Sequence, residues 1–110
     1  MTAESALDGL RAASGIPFAY RFFELTPPYP FGVILDDNEK PLYADDKPYL
    51  SVFSARLELY DAAPNDDAES LVERWLADNA TAWRKLPREN VSADDETAPI
   101  FMSAYEFEVI

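Results

Sequence analysis

The 110-residue chain contains no cysteine, no histidine, three glycines and three lysines. Without Cys and His it cannot build a zinc finger, a disulfide scaffold, a thiol nucleophile, a Ser-His-Asp triad or a His-ligated metal. With glycine only at Gly9, Gly15 and Gly32, it has no Gly-rich phosphate loop. The lysines (Lys40, Lys47, Lys85) and six arginines form no run and are outnumbered by 21 acids, for a net charge of −12. This balance opposes binding to a phosphate backbone, where affinity comes from Lys and Arg releasing counterions. No stretch approaches the ~18 apolar residues of a membrane helix. The first residues lack the basic and apolar regions of a secretory signal, so the expectation is a soluble chain made in the cytosol, with no membrane partner.

What is present is apolar and aromatic: 48% and 14% of residues. That is enough for one core in a chain of this length, and the expected organisation is a single domain, residues 1–110. Residues 2–14 have a helical stripe of Ala3, Ala6, Leu7, Leu10 and Ala13, with Thr2 as N-cap and Gly15 just past the end. Pro17–Leu25 is aromatic-rich and reads as a strand. The stiff segment Thr26-Pro27-Pro28-Tyr29-Pro30 then leads to a second strand, Phe31–Leu35, expected to pair with the first. A turn over Asp36–Glu39 and a brief edge strand around Leu42-Tyr43 follow.

In Tyr49–Tyr60, Phe53, Ala55, Leu57 and Leu59 alternate with Ser54, Arg56, Glu58 and Tyr60, the period of a half-buried strand. A helix is predicted from Asn65 or Asp66 to Asn79, with Ala68, Leu71, Val72, Trp75 and Leu76 on one stripe and Asp66 with Glu69 as its capping box. Ala82–Leu86 reads as a strand with Trp83 inward, and Pro87–Pro99 as a polar loop. Ile100–Ile110, alternating from Phe101 to Val109, reads as a strand inside the sheet. The fold class is therefore α+β, a mostly antiparallel sheet with two helices.

Few groups suggest chemistry. The pairs Asp36-Asp37, Asp45-Asp46, Asp66-Asp67 and Asp94-Asp95 are hard-cation ligands by type, but they have no EF-hand spacing and read as turns and a helix start. Tyr43-Ala44-Asp45-Asp46 matches a polymerase-like YxDD string by chance, since that chemistry needs a third carboxylate on a far larger fold. No catalytic residue, cofactor or metal is assigned. The cluster Tyr20, Phe22, Phe23, Tyr29 and Phe31 reads as core or as a contact surface, and an acidic body can mimic DNA or line a passage that DNA crosses without sticking.

Several segments occur in a familiar order. They are Gly15-Ile16-Pro17-Phe18-Ala19-Tyr20, Pro27-Pro28-Tyr29-Pro30-Phe31, Tyr43-Ala44-Asp45 with Lys47 and Tyr49, and Leu57-Glu58-Leu59-Tyr60 before a helix with Glu69, Val72 and Glu73. Tyr105-Glu106-Phe107-Glu108-Val109 closes the series. Together they resemble the small tail terminator (head–tail joining) proteins of long-tailed phages and prophages, over most of residues 15–78 and 104–110; Ala80–Pro99 departs from the pattern. The resemblance implies a virion protein of the tail or neck, assembled in the host cytoplasm and without catalysis. Its copies, typically six, would close into a ring that caps the tail tube and joins it to the head connector. The implied partners are further copies of itself, the major tail tube protein and the head–tail connector protein, with DNA passing through an acidic lumen without specific binding. Tyr20, Phe22, Tyr29, Phe31, Tyr43, Asp45, Asp46, Asp94 and Asp95 are the expected contact residues. Other classes remain open: another neck, head-completion or tail-assembly protein, a small acidic DNA-mimic inhibitor, and an enzyme using Asp-bound Mg²⁺.

Overall fold

A computed structural model describes residues 2–36, 53–91 and 99–109. Helix α1 (Ala3–Ser14) is fixed at both ends as its sequence dictates. The Thr2 hydroxyl accepts from the Ser5 amide at 3.1 Å while Ser5 Oγ accepts from the Thr2 amide at 3.0 Å, and Gly15 closes the helix at φ 68°, donating to Arg11 O. Then come β1 (Phe18–Tyr20), β2 (Phe31–Asp36), β3 (Phe53–Asp61), α2 (Asp66–Asn79), β4 (Ala82–Lys85), β5 (Glu89–Asn90) and β6 (Phe101–Val109). The fold is α+β. The sheet runs β1-β2-β3-β6-β4, with β5 also paired to β6. Among the described strands only β1 and β2 are parallel; β3 and β6 form the long antiparallel centre.

Both helices lie on one face. Phe18, Ile34, Leu57, Leu59, Tyr105 and Phe107 point up from the sheet to meet Leu7 and Leu10 of α1 and Ala68, Val72, Trp75 and Leu76 of α2. Two close approaches set this packing. The Phe18 ring lies over Gly32, where an added Cβ would sit 2.2 Å from Phe18 Cε1. The Trp75 indole likewise occupies the space beside Gly9, 2.6 Å from where a Cβ would be. Such approaches need a residue without a side chain. The other face, with Phe31, Val33, Arg56, Glu58, Tyr60, Arg84 and Glu106, has no helix over it among the described residues.

Several expectations change. The first strand ends at Tyr20 rather than Leu25, because Arg21 adopts a left-handed backbone (φ 70°) that turns the chain out of the sheet. The strand pair across the proline segment forms, but in parallel, since residues 21–30 carry the chain back to start β2 beside the beginning of β1. The N-cap of α2 is Asn65, whose side chain accepts from the Ala68 amide at 3.0 Å, so Glu69 is released from the expected capping box. Trp83 stands on the helix side, opposite Phe107, yet is 37% exposed because β4 is the sheet edge. The polar segment after Leu86 contains β5, hydrogen-bonded to β6. The predicted Leu42-Tyr43 strand and most of Asp36–Glu39 lie outside the described residues, as do Tyr49–Val52.

Candidate functional site

The bare face carries an aromatic groove of about 630 Å³ at the β1–β2 end of the sheet. Phe31 is its centre. Tyr29 stacks with that ring at 5.3 Å between centroids and Tyr60 at 5.4 Å, and Phe23 meets it edge-on at 5.6 Å. Register explains the partner from β3: Phe31 and Tyr60 are directly opposite in the β2–β3 ladder and so share a face. Arg21, Phe22, Thr26, Val33, Glu58, Val91 and Ile100 complete the lining. On its floor the Tyr60 hydroxyl donates to Glu58 Oε1 at 2.8 Å and Arg56 Nε donates to Glu58 Oε2 at 2.9 Å. Burial, and then the bond to Glu58, push the Tyr60 hydroxyl up to about 12. Of the lining residues Phe22 is 68% exposed; Leu25, in the same connection between β1 and β2, is 89% exposed.

A second constellation lies on the helix side, between α2 and the strands after it. Glu69 is 4% exposed. Its Oε1 accepts from Lys85 Nζ at 2.7 Å and Arg88 Nη2 at 2.8 Å; its Oε2 accepts from Arg88 Nε at 3.0 Å and from the Ser103 hydroxyl. One turn on, Glu73 Oε2 accepts from Lys85 Nζ at 3.2 Å and the Tyr105 hydroxyl at 2.8 Å, while Asp66 Oδ1 accepts from Arg88 at 3.1 Å. Burial opposes ionisation of Glu69, but the bonds from Arg88, Lys85 and Ser103 outweigh it and hold the carboxyl down at about 2. Burial and the bond to Glu73 push the Tyr105 hydroxyl up. A carboxylate so saturated with donors is a poor proton acceptor near neutral pH; it fastens β4 and β5 to α2.

The two sheet edges differ. Phe18 O and Tyr20 O, which face away from β2, are both taken: Arg11 donates to Phe18 O through Nε at 3.1 Å and Nη2 at 2.7 Å, and the Phe22 amide donates to Tyr20 O at 2.9 Å. At β4 the ladder to β6 uses alternate residues, ending with the Leu86 amide on Ala104 O at 2.8 Å. Trp83 and Lys85 therefore aim their backbone groups outward. Among the described residues no strand pairs with that side.

Of the residues expected to make contacts, Phe22, Tyr29 and Phe31 are brought together in the groove. Tyr20 is not: its register with Ile34 places it on the helix face, packed against the core. Tyr43, Asp45, Asp46, Asp94 and Asp95 lie outside the described residues. Sequence reading missed Tyr60, although alternation along β3 already put it on the face opposite Leu57 and Leu59. It also missed the Glu69 cluster, whose only local signal is the i, i+4 spacing of Glu69 and Glu73.

Among the described residues no group of three or more Asp or Glu is placed to hold a metal ion, and no helix is long and apolar enough to cross a membrane. No protein-family model matches the chain, and none of the curated proteins matches it.

Proposed function

We propose that this chain is a structural subunit of a ring, a tail terminator whose copies cap a phage tail tube and join it to the head connector. The observation that supports the reading is the asymmetry of the sheet: the outward carbonyls of β1 are taken by Arg11 and the Phe22 amide, while among the described residues no strand pairs with the outer side of β4. Flanks of different chemistry favour heterologous contacts, which make a ring when the rotation closes. The resemblance of the ordered motifs to those of tail terminators supports the same reading. So does the charge: six copies at −12 each give −72, which would keep a duplex from adhering to the walls of a channel. In this reading the Glu69 cluster positions β4 for its neighbour and does no chemistry.

Negative-stain micrographs of the purified protein, alone and mixed with tail tube protein, test the proposal. Rings with an open centre, seated on tube ends in the mixture, are expected. Isolated subunits that leave tube ends bare would contradict it.

A further inference from the structure

Residues 81–91, which carry β4 and β5, are attached to the subunit mainly by polar bonds. Every one of them except Leu86 is exposed, and none belongs to the buried cluster that joins sheet and helices. Apart from the Trp83 ring beside Tyr105, apolar burial adds little to their hold. Two sets of bonds remain. Along β6, the amides of Thr81, Leu86 and Val91 donate to Glu108 O, Ala104 O and Ile100 O, each at 2.8 Å, around the two short ladders. Across to α2, Lys85 and Arg88 converge on Glu69, the only buried carboxylate among the described residues. The elements on either side have fixings of their own. α2 packs on the core through Ala68, Val72, Trp75 and Leu76, and the other edge of β6 pairs with the whole of β3.

We propose that residues 81–91 form an acid-released strap: protonation of Glu69 frees them from α2 and β6 while both helices and the β1-β2-β3-β6 sheet stay folded. The groups around Glu69 set this direction. The strap presents Lys85 and Arg88 to it, and β6 presents the Ser103 hydroxyl and the Tyr105 hydroxyl that bonds Glu73. On its own helix stand Asp66 and Glu73, which share the same two cations. Asp61, across a small cavity, is engaged instead by the Ala62 amide and the Asn65 side chain. A proton on Glu69 thus removes the charge on which both strap cations meet. Only the exposed Asp66 and the partly exposed Glu73 would still hold them, and exposed pairs contribute little. With the strap docked, its donors hold the Glu69 carboxyl down at about 2; with the strap off, it returns toward its ordinary 4.5. The released form therefore gains as pH falls from 4.5 toward 2.

Release uncovers the β6 edge and takes β4 out of the sheet. The strap itself is a property of the subunit. One consequence rests on the ring reading: where β4 is the seam, acid loosens the assembly before it unfolds the subunits.

The test is amide hydrogen exchange of the full chain between about pH 6 and pH 3, read by segment and corrected for the intrinsic effect of pH, with light scattering of the same samples. Opening of residues 81–91 in wild type should rise on the order of 30-fold by about pH 3, while residues 18–36 and 53–61 keep their protection. Glu69→Gln should show increased opening of 81–91, roughly tenfold or more, already at about pH 6, with little further rise in acid. Glu73→Gln, which leaves the Glu69 bonds in place, should keep the wild-type pH dependence. A single transition shared by all segments, or an unchanged pH dependence of 81–91 in Glu69→Gln, would overturn the strap. A strap that opens as described in a wild type that never forms rings supports this proposal and contradicts the ring reading. Rings that persist while 81–91 lose protection also support the strap, and contradict β4 as the seam.

Discussion

The two flanks of the sheet are held by different physics. At the β1–β2 side the fixings are apolar and close-packed: Phe18 lies against Gly32, Phe31 stacks with Tyr29 and Tyr60, and Arg11 seals the outer carbonyl. At the β4–β5 side every strand residue is exposed, so burial contributes little there. Position comes instead from charged hydrogen bonds converging on one carboxylate. The packed flank hides its backbone and shows aromatic rings; the clasped flank shows its backbone. A surface can therefore be kept open for a neighbouring strand without being loose, provided polar bonds hold it from beneath.

The comparison is broken most severely at Glu69. Glu69→Ala leaves Lys85, Arg88 and Ser103 without their shared acceptor, and unfolding in urea should show a loss of about 3 kcal/mol, roughly 10–20 °C in Tm. Hydrogen exchange of β4 and β5 should rise more than that of β1 and β2. Equal loosening of both flanks would mean that the clasp does not act locally. On the packed side, Gly32→Ala drives a Cβ into the buried Phe18 ring, and the same assay should report a loss of about 2 kcal/mol.

Acid separates the flanks without mutation. The Glu69 carboxyl is depressed from its ordinary 4.5 to about 2. Its contribution is complete above about 4.5 and is lost as pH falls toward 2, because the unfolded chain takes up the proton first. Thermal melts between pH 5 and 2 should fall less steeply for Glu69→Gln than for wild type. At the alkaline end the sign reverses. Tyr60, raised from 10.0 to about 12, favours the fold fully below pH 10 and loses that effect as pH rises through 12.

Arg11→Ala is a smaller change. It uncovers Phe18 O at a partly exposed position and should cost about 1 kcal/mol in urea unfolding. Least disruptive to backbone pairing is Trp83→Pro, which removes an outward amide, leaves the β4–β6 ladder intact and gives up the indole's contact with Tyr105. It should prevent ring formation in micrographs while the subunit stays folded; unchanged rings would rule out the open edge as a seam.

Local pattern made much of this architecture legible. The stripe Ala68, Val72, Trp75 and Leu76, the alternation in β3 and β6, and the Thr2 and Gly15 caps were readable because each depends on neighbours a few residues away. What escaped depends on distant ones. Phe31 pairs with Tyr60 only through strand register, and Glu69 meets Lys85, Arg88 and Ser103 across 16 to 34 residues of chain. Asn65 displaced Asp66 as cap for a local reason, the choice between adjacent good cappers, which composition alone does not decide. Tyr20 and Phe22 looked like one cluster in sequence, but a single left-handed residue between them sends them to different surroundings.

Native mass spectrometry of the full chain bears most directly on the central claim, that the subunit works by closing with copies of itself around a channel. A discrete closed species of on the order of six copies is expected. A single 12.4 kDa species at every concentration would contradict it.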